Sequence, residues 1–97
     1  MNGVFLHLGR NVSVRIADVV SIHDIRLFTT AGAPGGDLLA RARADGSVID
    51  AAREKETKSV IITEKRIYLS AISPVTLMRR ARQANRYVRE AVRIDRS

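Results

Sequence analysis

Apolar positions change rhythm along this chain, and each rhythm selects a different element. Val4 to Leu8 is an apolar run interrupted by His7; Gly9-Arg10-Asn11 breaks it, and Val12-Ser13-Val14-Arg15-Ile16 then alternates strictly. Two strands joined by a tight turn follow, with Val12, Val14 and Ile16 facing the core and Ser13 and Arg15 facing water. Between Asp18 and Phe28, six β-branched, aromatic or other apolar residues (Val19, Val20, Ile22, Ile25, Leu27, Phe28) predict a third strand. Three glycines and a proline within residues 30–36 make a loop. Asp37 then stands where a helix N-cap belongs, and Gly46 where a C′ residue belongs, which predicts a short helix near 37–45. Val48-Ile49-Asp50 suggests a brief strand. Ser59-Val60-Ile61-Ile62-Thr63 and Arg66 to Ile72 read as a hairpin turning at Glu64-Lys65.

From Ser73 onward the period becomes helical. Serine is a good cap, and Pro74 fits the first helical position, where its missing N–H costs nothing. Leu77, Ala81, Ala84, Val88 and Ala91 recur at steps of four and three. Arg79, Arg82, Arg86, Arg89, Arg93 and Arg96 recur likewise, displaced by two residues, or roughly 200° at about 100° per residue. The apolar and cationic faces are therefore nearly opposite, and the arginine stripe would span roughly 26 Å at about 1.5 Å per residue. The pattern as a whole predicts an α+β fold: a small, mainly antiparallel β-sheet with one short central helix and one long C-terminal helix. Residues 1–73 form its β-rich core, and 74–97 a basic amphipathic helix of the same single domain.

Charge sharpens this picture. The formal net charge is +7 and the sequence pI about 11.0. Seven arginines against Glu90 and Asp95 put +5 of that charge at or beyond residue 74. Such a field concentrates polyanions, and arginine donates paired hydrogen bonds to phosphate oxygens. Arg79, Arg82, Arg86, Arg89 and Arg93 are the candidate nucleic-acid contacts, with Arg53, Lys55 and Lys58 of the charged connection as a second patch. Stripe contacts of this type position a protein on a backbone without reading bases.

Other chemistries find no support. Cysteine is absent, so no disulfide or thiolate metal site can form. His7 and His23 lack a partner at ligand spacing, so no metal or cofactor is expected. The glycines at 32, 35 and 36 lack the lysine and hydroxyl of a phosphate loop, and no serine-hydrolase elbow or carboxylate pair occurs. No catalytic residue, enzyme activity or small-molecule substrate is expected. The start lacks a secretory signal pattern, no stretch has the length of a membrane span, and the apolar helix face is mostly alanine. A cytoplasmic protein without membrane contact is the expectation.

The ordered set Phe5-Leu6-His7-Leu8-Gly9, Asp18-Val19-Val20-Ser21-Ile22, Val48-Ile49-Asp50-Ala51, Lys58-Ser59-Val60-Ile61-Ile62-Thr63 and Ile67-Tyr68-Leu69-Ser70-Ala71-Ile72-Ser73-Pro74 resembles the bacterial extracellular matrix regulatory protein family. It looks closer to the RemB branch than to RemA. The resemblance implies a small cytoplasmic non-enzyme forming ring-like homo-oligomers and, for the RemA branch, DNA binding that activates biofilm matrix genes. The RemA-like pattern carries an arginine ahead of the third strand and an adjacent arginine pair in the charged connection; this chain has Asp18 and Lys55-Glu56 there. The expected function is a DNA-binding regulatory or architectural homo-oligomer, with RNA as the alternative polyanion. The competing expectation is a protein-interaction module that meets an acidic protein partner and has no nucleic-acid role.

Overall fold

The structure, a computed structural model, describes residues 4–84. Strands β1 (Phe5–Gly9) and β2 (Val12–Arg15) form the expected hairpin, with Gly9 paired to Val12 across Arg10-Asn11. A 3₁₀ turn, Ile16–Asp18, leads into β3 (Val19–Asp24). Helices α1 (Arg26–Thr29) and α2 (Gly36–Ala44) precede β4 (Val48–Asp50), β5 (Ser59–Thr63) and β6 (Ile67–Ser70). Helix α3 is described over residues 74–84. The architecture is α+β, as the sequence pattern predicts.

The main sheet runs β3-β5-β6-β4. β5 lies between antiparallel partners, and its alternate residues are buried on opposite faces: Ile61 on one, Val60 on the other. On the Ile61 face the β1–β2 hairpin and α3 pack together through Leu6, Leu8, Val14, Ala51 and Leu77. On the Val60 face α1 and α2 supply Phe28, Leu39 and Ala42 against Ile67 and Leu69. Leu77 is fully buried, which fixes α3 to the sheet and is worth roughly 1.5–3 kcal/mol of apolar transfer. Ser70, also fully buried, ties the layers: its hydroxyl donates to the Leu8 carbonyl at 2.7 Å and accepts the Ile72 N–H at 3.1 Å.

Four local details differ from the sequence expectations. The third strand stops at Asp24 rather than reaching Phe28, because the Asp24 carboxylate accepts the Arg26 N–H at 2.9 Å and starts α1. Asp37 is not the α2 cap. Gly35 occupies that position without a side-chain bond, and Asp37 sits in the first turn, where its charge suits the helix dipole. β4 pairs parallel to β6, so the sheet is mixed at that edge. Gly35 is also more than a connector, since a Cβ there would lie 2.5 Å from the buried Phe28 ring. The other signals hold: Gly46 follows α2 at φ +80°, and the Ser73 hydroxyl accepts the Thr76 N–H at the start of α3.

Candidate nucleic-acid interface

One end of the sheet brings together three connections. Ser59, the first residue of β5, pairs with Asp24 at the end of β3 and with Ser70 at the end of β6. The connection from 51 to 58 lies at this end, as do the β1–β2 turn and the entry to α3. Ala51 and Ala52 are buried and anchor the connection, while Arg53, Lys55 and Lys58 are exposed. The Asp50 carboxylate accepts the N–H groups of Ala52 and Arg53, each at 2.9 Å, and Lys55 N–H closes a turn onto the Ala52 carbonyl. Lys58 is clamped at both backbone groups: its N–H donates to Ser70 and its carbonyl accepts from Ile25. A basic loop with its backbone fixed this way has already lost much of the entropy that binding would otherwise cost.

Lys58 shares a shallow cleft with Arg26, Glu56, Ser73 and Pro74, so this loop adjoins the α3 entry. Arg79 and Arg82 are exposed on α3, with Arg80 beside them. Arg82 also borders a groove formed with Met78, Ala81 and Val19 to Ile22 of β3. The connection thus adjoins the start of α3, whereas Arg82 lies farther along the helix, beside the first residues of β3. Arg86, Arg89 and Arg93 lie outside the described residues.

Ion pairing separates the cations into two groups. Among the described residues the ion pairs are Arg15 with Asp18 at 3.1 Å and Arg26 with Asp24 at 2.9 Å. The Arg26 guanidinium, and then its backbone N–H, hold the Asp24 carboxyl at a pKa of about 2. The Arg15 guanidinium likewise lowers Asp18, with a smaller contribution from Lys65. Arg15 and Arg26 therefore have much of their field offset locally. Arg53, Lys55, Lys58, Arg79 and Arg82 enter no ion pair among the described residues. Arg41, Lys65 and Arg66, which sequence reasoning did not single out, gather at the opposite end of the sheet with Asp45 and Glu64. The α2 and hairpin-tip positions carry no sequence signal that would have joined them.

No three His, Asp or Glu side chains gather as a metal site among the described residues. Nor is any helix there long and apolar enough to cross a membrane. No curated protein matches the chain. A family model described as RemA-like, Extracellular matrix regulatory protein A-like, matches residues 5–81, which takes in both sheet faces, the basic connection and most of the described part of α3. By that match the chain belongs to the RemA-like family of extracellular matrix regulatory proteins.

Proposed function

We propose that this chain is a DNA-binding regulatory or architectural protein that works in the cytoplasm as a homo-oligomer and acts on biofilm matrix genes. The observation carrying this reading is the set of exposed cations, Arg53, Lys55, Lys58, Arg79 and Arg82, presented on a fixed loop and a core-anchored helix. Membership of a family of matrix regulators supports the regulatory role. Guanidinium and ammonium groups so placed dock on phosphates, and repetition through an oligomer multiplies weak contacts by effective concentration.

Self-association is supported by the β3 margin. β3 is an edge strand, and Val20 on it is 64% exposed beside Met78 of α3, 40% exposed. An open edge flanked by apolar side chains invites a second copy. Light scattering with and without duplex DNA tests both parts. An oligomer that gains mass with DNA agrees with the reading; a monomer that ignores DNA refutes it. The same exposed cations support one other reading, a module whose basic face binds an acidic protein and which has no nucleic-acid role. Failure to retard DNA or RNA at low salt, together with a stably captured protein, would select it.

A further inference from the structure

Two arginines at this end of the sheet, where Asp24 and Asp50 end their strands, hold left-handed backbone conformations. Arg10 has φ +51° and Arg53 has φ +53°. Non-glycine residues seldom adopt this region, and those that do favour asparagine or aspartate; where such residues persist, a site often requires the side chain. Arg10 opens the two-residue turn between Gly9 and Val12, and Asn11 follows at φ +66°. Positive φ at both central positions marks the type I′ hairpin turn, whose preferred residues are asparagine, aspartate and glycine. Arginine is a poor choice for that backbone, so the turn itself does not account for it.

The same holds at residue 53. Asp50 accepts the Arg53 N–H and stabilises the bend, yet nothing in the bend needs a guanidinium. The two turns also touch. A Cβ on Gly9 would lie 3.2 Å from the Ala51 carbonyl oxygen, so no side chain separates the β1–β2 turn from the connection. Following the chain from that contact at about 3.8 Å per residue puts the Arg10 and Arg53 Cα atoms at most roughly 19 Å apart. Both side chains are exposed, and neither forms an ion pair among the described residues. The acids nearby are Asp50, whose Oδ1 already accepts two N–H groups, and the exposed Glu54 and Glu56.

We infer that Arg10 and Arg53 form a paired clamp for phosphates of a nucleic-acid backbone, held on two touching turns at one end of the sheet. This rests on the polyanion-binding reading above and adds Arg10 to it. Each guanidinium donates two hydrogen bonds to a phosphate, and the fixed turns set their spacing. The clamp positions the protein and carries no base preference.

The test compares full-length wild type with Arg10→Asn, Arg53→Asn and the double variant in duplex DNA binding across a salt series. Asparagine suits the left-handed backbone, so both turns should persist, and a urea unfolding curve checks this. Each single variant should make the log–log salt slope shallower by roughly 0.9 and weaken binding about five- to tenfold near 0.1 M salt, with the double variant losing both contacts. Single variants that keep the wild-type slope, while wild type itself binds steeply, overturn the clamp alone. Wild type that fails to bind DNA at low salt overturns the clamp and the reading beneath it.

Discussion

Replacing Ser70 with alanine removes one oxygen and should cost far more than its size suggests. The hydroxyl is fully buried, donates to the Leu8 carbonyl at 2.7 Å and accepts the Ile72 N–H at 3.1 Å. Both partners are backbone groups, so alanine leaves an acceptor in β1 and a donor before α3 without this bond. A buried polar group left unsatisfied costs about 1–3 kcal/mol. With the Leu8 carbonyl fully buried and the Ile72 N–H half-buried, Ser70→Ala should lose about 2–4 kcal/mol. For a small domain that is a melting-temperature drop of roughly 8–32 °C. Urea unfolding at fixed protein concentration measures it, since any self-association would make the midpoint concentration-dependent. The midpoint should fall with an unchanged slope, while Ser13→Ala on the exposed side of β2 should shift it by less than about 0.5 kcal/mol. A Ser70→Ala loss no larger than the Ser13→Ala loss would mean that the hydroxyl does not join the hairpin to the sheet.

Other outcomes follow from the same contacts. Gly35→Ala places a methyl group 2.5–2.9 Å from three Phe28 ring atoms and should destabilise by about 1–3 kcal/mol in the same urea assay; a neutral effect would show that the ring is free to move. Asp24 has a depressed pKa in the folded state, so its contribution to stability is present above its ordinary value near 3.8 and is lost as pH falls toward about 2. A carboxyl-resolved NMR titration should give Asp24 a midpoint near 2, moving upward in Arg26→Gln; an ordinary midpoint in wild type would contradict the pairing. Asp50→Ala removes the acceptor shared by Ala52 and Arg53 and should speed amide exchange at both, leaving Ile61 protected; unchanged exchange would show that the carboxylate does not fix the loop.

Legibility in the sequence tracked how local each cause is. The β5–β6 hairpin could be read because Val60, Ile61 and Ile62 form an apolar run that only a strand covered on both faces needs. Ser73-Pro74 and Gly46 act within a turn or two and were equally plain. The end of β3 was hidden because Ile25, Leu27 and Phe28 continue its apolar run, while the stop comes from one carboxylate bonding back to Arg26. The parallel pairing of β4 rests on three residues that carry no directional signal. Gly35 read only as part of a loop because its partner, Phe28, comes against it only once α1 folds onto α2. Within the candidate interface, Arg53, Lys55, Lys58, Arg79 and Arg82 were legible as charge. Arg10 was not, because its distinction lies in backbone conformation and in the contact of its turn with Ala51.

The salt dependence of duplex DNA affinity bears most directly on the central claim. Arg53, Lys55, Lys58, Arg79 and Arg82, each neutralising one phosphate, give a log–log slope of roughly −4 to −5 per engaged subunit, to which the Arg10 contact adds about one more, and so at least a several-hundredfold fall between about 50 and 200 mM salt. Arg79→Gln with Arg82→Gln should bring that slope about two units closer to zero. Affinity that stays flat across the same range would contradict the account.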